Sequence, residues 1–298
     1  MRLAAAAFIA LLWSAGSACA QVQVDAPFDG SRVAAVAFGK KLVTANVALS
    51  GRAPAGTNVP ISASCRRFDC TAITFAGRGG RWSTRMQLMV RKGHQRLTLN
   101  IGGTLVRVTL SKHVAPVFSA PLAAPTGLGG GSTVVVVGDS LAVGMAPALQ
   151  GLLPGRPILV DARIGRPLDE GMAVLAGSDP PKASFAYSLF TNDDPLRIEQ
   201  LDAAVRSSVA VLGQHGCAVW ATIVRPKVGG RTYAHVNARL RALAVDPALS
   251  GRLLIADWAE AVRGHRKAWL AKDKVHATAA GYLARAQLYA DALGGCTA

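Results

Sequence analysis

The sequence predicts an α/β fold in the C-terminal half of the chain, with a parallel sheet between two layers of helices, preceded by a small antiparallel β-sandwich. From about residue 133, short apolar strands alternate with helical periods, which is typical of parallel sheets. Between about Val33 and Leu110, alternating runs are separated by Gly, Pro and Asn turns, which is typical of antiparallel strands. With 298 residues, 51% of them hydrophobic, the chain can bury one large core or two medium ones.

The first 20 residues predict a secretory signal peptide. Arg2 precedes an apolar run from Ala4 to Trp13, and residues 18–20 form a small-residue cleavage site. An N-terminal membrane anchor is the alternative, but the apolar run is short for a bilayer span. Because no later run is long and apolar enough to cross a membrane, we expect no transmembrane segment after cleavage, and a secreted, periplasmic or cell-envelope protein.

Export determines how the cysteines are interpreted. Once Cys19 leaves with the signal, four cysteines remain in an oxidising compartment, which favours disulfides. We expect Cys65 to pair with Cys70, since they share one segment, and Cys217 with Cys296, which would tie the chain end to a strand. A zinc site is the rival interpretation, but no pair of histidines stands at ligand spacing beside Cys65 and Cys70.

The chain is strongly basic, with 33 Lys and Arg against 17 Asp and Glu, a net charge of +16. Such a surface attracts polyanions. Nucleic acid is not the expected partner, since the chain has no recognisable binding motif and few aromatic residues to stack on bases. An anionic envelope polymer or acidic polysaccharide fits an exported protein better, and solubility alone is the simplest explanation.

Three segments are expected after the signal peptide. Residues 21–113 form the β-rich, sandwich-like domain, in which Gly102-Gly103 predicts a hairpin turn. Residues 114–132 are rich in proline and glycine and are expected to be a linker. Residues 133–298 form the α/β domain. Its expected strands are 133–138, 157–161, 184–190, 217–223 and 252–256, and its expected helices are 141–151, 168–176, 196–212, 232–245 and 278–293.

Polar or small residues follow these strands where the working groups of such sheets collect, at the carboxyl ends. Ser140 follows the first strand and opens a helix, Gly165 follows the second, and Asn192 follows the third. Asp273 stands three residues before His276, just ahead of the last helix. A serine hydroxyl needs a neighbouring base to accept its proton, and an imidazole needs a carboxylate to orient it and stabilise its charged form. The set therefore predicts a serine nucleophile with Ser140, Asp273 and His276 as catalytic residues.

These blocks resemble those of the GDSL, or SGNH, hydrolase family. Their order and rough spacing agree with the family over residues 133–293. The resemblance implies a flavodoxin-like three-layer α/β/α sheet, ester hydrolysis without a metal or organic cofactor, and an oxyanion hole formed by the backbone N–H groups of Ser140 and Gly165 and the side-chain amide of Asn192. One departure stands out, because Phe190 occupies the position where the family's asparagine block carries glycine.

Two features of the sequence bear on the substrate: its basic residues and Phe190. Arg166, after the glycine block, is expected on a basic cleft rim together with other Lys and Arg residues, and the ring of Phe190 is expected to shorten the acyl pocket. The predicted function is hydrolysis of short acyl esters, with acetyl esters of an acylated anionic polysaccharide as one candidate substrate. Two alternatives stay open, an O-acyltransferase that moves an acyl group to a sugar and a non-catalytic cell-wall binding module. The sequence does not predict an oligomeric state.

Overall fold

The computed structural model describes residues 22–38, 41–65, 70–111, 133–176, 183–212 and 216–296. The predicted signal peptide and the predicted linker lie outside the described residues, so both stay predictions. Among the described residues, no helix has the length and apolar character needed to cross a membrane.

The N-terminal part is a β-sandwich, as predicted. Its strands are β1 (Gln23–Ala26), β2 (Ser31–Ala34), β3 (Val36–Phe38), β4 (Leu42–Arg52), β5 (Asn58–Ala63), β6 (Cys70–Phe75), β7 (Arg81–Arg91), β8 (Arg96–Ile101) and β9 (Thr104–Ser111). They pair antiparallel, as expected, except for β2 and β9, which are parallel. One sheet has the order β1-β4-β3, with β7 paired to the other side of β4, and the facing strands are β6-β5-β8-β9-β2. Alternate side chains of both sheets point into one apolar core, since the pleat sends successive residues to opposite faces.

The C-terminal part is a three-layer α/β/α unit with five parallel strands, also as predicted. Its strands are β10 (Val134–Gly138), β11 (Ile158–Arg163), β12 (Ser184–Ser188), β13 (Ala218–Ala221) and β14 (Leu253–Ala256), in the flavodoxin-like order β14-β13-β12-β10-β11. The helices are α1 (Ser140–Leu152), α2 (Leu168–Ala176), α3 (Ile198–Ala210), α4 (Ala234–Ala244), α5 (Trp258–Ala261), α6 (Arg266–Trp269) and α7 (Ala279–Gly294), with a 3₁₀ turn at Val262–Gly264.

Each face of this sheet has its own core. Helices α1 and α7 pack on one face, and α2, α3 and α4 pack on the other. The strands are buried on both faces, which explains why the sequence reads as continuous apolar runs such as the four valines of β10.

The two parts share one sheet, which the sequence did not predict. Strand β6 pairs antiparallel with β11, with Ala72 opposite Arg163, and so joins the sandwich strands to the parallel strands in a ten-stranded sheet. Asn58 completes the junction, because its side-chain amide donates to the carbonyl of Ile158 at 2.7 Å and its carbonyl oxygen accepts from the N–H of Val160 at 2.9 Å. These contacts satisfy backbone groups of β11 that would otherwise form an open sheet edge.

Both expected disulfides are present. Cys65 bonds to Cys70 and Cys217 bonds to Cys296, each with Cα atoms 5.9 Å apart. The second bridge ties the end of the chain to the start of β13, across a sequence separation of 79 residues against 5 for the first.

Removal of the longer bridge is expected to cost more stability than removal of the shorter one. In the chain-entropy model, Cys217→Ser with Cys296→Ser lowers the free energy of unfolding by about 4.5 kcal/mol, and Cys65→Ser with Cys70→Ser by about 2 kcal/mol, because the bridge that closes the longer loop restricts the unfolded chain more. Urea unfolding of both double variants under oxidising conditions measures this. An equal or larger loss for the short bridge would contradict the expectation.

Candidate active site

Ser140 lies at the turn between β10 and α1. Asp139 caps the helix, and its carboxylate accepts the backbone N–H of Leu141 at 2.9 Å. A Cβ on Gly138 would lie 2.3 Å from the Cβ of Ala142 and 2.9 Å from the carbonyl oxygen of Ser188, so only glycine permits this close turn. The turn leaves the backbone N–H of Ser140 at the positive end of a helix.

Three of the predicted site residues form one chain of hydrogen-bonding contacts. His276 Nε2 lies 2.9 Å from Ser140 Oγ, and His276 Nδ1 lies 2.6 Å from Asp273 Oδ2. The other carboxylate oxygen of Asp273 accepts the backbone N–H groups of Val275 and His276, both at 3.0 Å. This is the geometry in which an imidazole can accept a proton from a hydroxyl while a carboxylate holds its tautomer.

The carboxylate of Asp273 is held in its ionised form. Partial burial alone would raise its pKa, but the hydrogen bonds from the ring of His276 and from the two backbone amides outweigh this and lower the pKa below 3.8. Asp273 therefore stays negatively charged at neutral pH, as the stabilisation of a histidine cation requires.

A short loop ahead of α7 presents Asp273 and His276. An isolated bridge between Leu270 and Ala277 closes this loop, and the N–H of Ala271 donates to the carbonyl of His276 at 2.8 Å. Lys274 has φ +59, a left-handed conformation, between Asp273 and His276. The loop is thus fixed by backbone bonds as well as by side chains.

Gly165 and Asn192 lie at the same edge of the sheet as Ser140. Gly138, Ala162 and Ser188 are neighbours in register on β10, β11 and β12, so the segments that follow these strands begin side by side with the turn that carries Ser140. Gly165 has φ +73, which favours glycine, and the side-chain amide of Asn192 donates to the carbonyl oxygen of Arg166 at 3.2 Å. The amide of Asn192 therefore lies against the turn that carries Gly165.

Arg166 does not lie on the cleft rim, so our expectation for it was wrong. Its side chain is 4% exposed and is bound to the carboxylate of Asp161 and, at 2.5 Å, to the carbonyl oxygen of Asp161. A buried cation needs such a partner, and the pair pins the Gly165 turn to β11. Arg166 is a positioning residue for the turn and has no surface to offer a substrate.

Phe190 was also assigned incorrectly as a lining residue of the acyl pocket. It is 0% exposed, and its ring belongs to the core between the sheet and helices α2, α3 and α4. Its φ is +71, a conformation that glycine adopts freely and bulky residues rarely do. The backbone thus has the shape expected of a glycine, while the side chain fills the core.

Phe190→Gly is expected to destabilise the protein although it relieves the backbone. Relief of the left-handed conformation gains about 1–2 kcal/mol. Removal of a fully buried phenyl ring costs about 3–5 kcal/mol, so the cavity decides the sign and a net loss of about 1–4 kcal/mol follows. Thermal and urea unfolding of the variant measure this, and an unchanged or raised unfolding free energy would contradict it.

The sequence pattern did not predict the buried polar network that Asp139, Ser188 and Arg285 form next to Ser140. Ser188 Oγ donates to the carboxylate of Asp139 at 3.3 Å and accepts from the guanidinium of Arg285 at 3.0 Å. Arg285 is 2% exposed and lies over the rings of Trp258 and Tyr289. Burial raises the pKa of Asp139, and the positive charge of Arg285 opposes this. The sequence feature that could have indicated this network is Arg285, a single cationic residue on the apolar face of α7.

Comparison of the chain with protein-family models and with curated proteins finds no match. Solved structures match a little more than half of the chain. The catalytic domain of the peptidoglycan O-acetyltransferase OatA from Streptococcus pneumoniae is 23% identical with a TM-score of 0.46, and the match covers 57% of this chain and 96% of that one. A putative SGNH hydrolase from Slackia heliotrinireducens is 20% identical with a TM-score of 0.43, and the match covers 54% of this chain and 98% of that one. A member of the lipolytic G-D-S-L family from Veillonella parvula is 14% identical, with a TM-score of 0.44 and the same coverage of both chains. The family named by several of these structural neighbours, the SGNH or GDSL hydrolases, is the one that the four residue blocks of this sequence resemble.

Proposed function

We propose that this protein is a secreted serine esterase of the SGNH family that hydrolyses short acyl esters. The observation that carries the proposal is the chain of contacts from Ser140 Oγ through the ring of His276 to the carboxylate of Asp273. The two disulfides support the secreted location, because such bonds persist in oxidising compartments.

The proposed reaction has two halves. His276 Nε2 takes the proton of Ser140 Oγ while this oxygen attacks the ester carbonyl, and Asp273 stabilises the resulting imidazolium. The N–H groups of Ser140 and Gly165 and the amide of Asn192 stabilise the oxyanion. His276 then gives its proton to the departing alcohol, which leaves an acyl group on Ser140. Water gives a proton to His276 while its oxygen attacks the acyl-enzyme. His276 then returns this proton to Ser140 Oγ as the acyl–Oγ bond breaks, which releases the carboxylic acid and the free serine.

The exposure of the site supports a short acyl group. The side chains of His276 and Asp273 are 43% and 49% exposed, so the triad lies in an open, polar setting. A long acyl chain binds well only where it can bury its length against apolar side chains. Because Phe190 is buried in the core, its ring does not support the proposal of a short acyl group. That proposal rests on the exposure of the His276 and Asp273 side chains.

A series of p-nitrophenyl esters, from acetate through butyrate and octanoate to palmitate, tests the proposal. We expect kcat/KM to be highest for acetate or butyrate, and a preference for octanoate or palmitate would contradict a short acyl group. Product analysis with and without a free sugar then identifies the acceptor. Free acetate indicates hydrolysis, whereas an acetylated sugar indicates transfer.

We also propose that the alcohol part of the ester belongs to an anionic glycan. Lys272 and Lys274 are exposed on either side of Asp273, and α6 next to this loop carries the exposed Arg266 and Lys267. Cations at the mouth of a site raise the local concentration of an anionic substrate.

Lys267→Gln with Lys272→Gln is expected to lower the preference for an acidic substrate. At low salt, the ratio of kcat/KM on O-acetylated polygalacturonate to that on acetylated xylan should fall about threefold to tenfold, and the effect should fade at high salt because ions screen exposed charges. Arg32→Gln removes one exposed cation from β2, the strand at the far edge of the sheet, and is the control. It should leave the ratio unchanged. A ratio that is the same for Lys267→Gln with Lys272→Gln as for the wild type, and that does not change with salt, would contradict the role of the basic rim.

A further inference from the structure

The β-sandwich reaches the candidate active site. Next to the junction with β11, the N–H of Ile164 donates to the carbonyl of Thr71 at 3.3 Å, so the segment after β11 is bound to the sandwich. A Cβ built on Gly165 would lie 3.2 Å from the side-chain oxygen of Gln87, on β7. Gln87 is therefore in contact distance of the turn that we assign to the oxyanion hole.

Gln87 belongs to a polar surface on the outer face of its sheet. Its neighbours Met86 and Leu88 point into the sandwich core, which leaves the side chain of Gln87 on the exposed face. Asn46 on β4 is its direct cross-strand partner and is also exposed. The amide of Gln87 donates to Thr44 Oγ1 at 3.4 Å. Thr44, Asn46 and Gln87 together form what we call the amide face.

The amide face suits sugar hydroxyls. Its side chains are uncharged and can both donate and accept hydrogen bonds, as a hydroxyl does. Arg85, two residues before Gln87 on the same face of β7, lies at the border of the amide face, and the basic rim lies on the loop and helix around Asp273. Gln87 also brings one end of the amide face next to Gly165, so a sugar bound to this face would lie beside the reacting ester.

We propose that the amide face binds the sugar units of a polymeric ester next to the acylated one, with Gln87 in direct contact with the substrate. This proposal rests on the proposed esterase function and names the part of the substrate that the β-sandwich recognises. The sandwich is thus part of the substrate site, and the shared sheet holds it in place.

The test uses acetylated xylo-oligosaccharide, which is neutral and so avoids the basic rim, and p-nitrophenyl acetate, which has no sugar. For Gln87→Ala and, independently, Asn46→Ala, the ratio of kcat/KM on the oligosaccharide to that on the aryl ester should fall about threefold to tenfold, as expected for one lost hydrogen bond. Thr98→Ala is the matched control, an exposed polar residue on β8, three strands from β11 in the sheet.

Binding of the same oligosaccharide to Ser140→Ala, with and without Gln87→Ala, separates this proposal from the esterase proposal. If the wild type hydrolyses no ester but Gln87→Ala weakens binding, the esterase proposal fails and the amide face stands. If Gln87→Ala and Asn46→Ala change neither the binding of the oligosaccharide nor the ratio of kcat/KM on the two esters, the proposal that the amide face binds sugar is wrong. An equal fall on both esters, with an unchanged melting temperature, would also overturn it, since Gln87 would then act only through the Gly165 turn.

Discussion

Ser140→Ala is expected to abolish ester hydrolysis, with a fall in kcat on the order of 10⁴-fold to 10⁶-fold. The alanine has no oxygen to attack the carbonyl, and the ring of His276 loses the hydroxyl that lies 2.9 Å from its Nε2. A fluorophosphonate probe should label the wild type at Ser140 and leave the variant unlabelled, which mass spectrometry of the intact protein detects.

The matched control is Ser207→Ala, which removes an exposed hydroxyl on α3. It should keep full activity and full labelling. Because the members of such a triad act as a unit, Ser140→Ala combined with His276→Ala should be no slower than Ser140→Ala alone. Equal labelling of the wild type and Ser140→Ala would show that the nucleophile is another residue, and an unlabelled, inactive wild type would favour the non-catalytic binding module.

Asp273→Asn is expected to lower kcat by about 10²-fold to 10⁴-fold while the fold persists. An amide cannot stabilise the imidazolium that forms during attack, and it can donate a hydrogen bond that favours the wrong tautomer of His276. Steady-state kinetics on p-nitrophenyl acetate measure the loss. Asp291→Asn, an exposed carboxylate on α7, is the control and should keep full activity.

The same variant tests the lowered pKa of Asp273. Since its pKa in the folded protein lies below the unfolded value of 3.8, its contribution to stability is complete above that value and is lost as the pH falls through the folded pKa. Asp273→Asn should therefore be less stable than the wild type at neutral pH, and the difference should shrink below about pH 4. A difference that grows on acidification would contradict the direction of the shift.

The secondary structure of the C-terminal half could be predicted because its signals are local. Apolar runs and helical periods depend only on neighbouring residues, and the five parallel strands and their main helices lie close to the expected ranges. The turn at Gly102-Gly103 could be predicted for the same reason, and both glycines have positive φ. The short helices α5 and α6 were missed, since four residues carry too little periodicity to be recognised.

The roles of Arg166 and Phe190 could not be predicted because burial is decided by distant parts of the chain. An arginine in a loop is usually exposed, and Arg166 becomes buried only because the carboxylate of Asp161 compensates its charge. Phe190 is accepted where glycine is expected because the core formed by α2, α3 and α4 has room for its ring.

By itself, the sequence determined the main strands and helices of the C-terminal half and the order of the polar blocks at the strand ends, because each follows from local pattern. It also predicted the two disulfide pairs, which the structure confirms. Only the tertiary structure decided that β6 and Asn58 join the sandwich to β11, and that Gln87 meets Gly165. Such contacts join residues some 80 to 100 positions apart through sheet pairing, and no local pattern records which strand edges will meet.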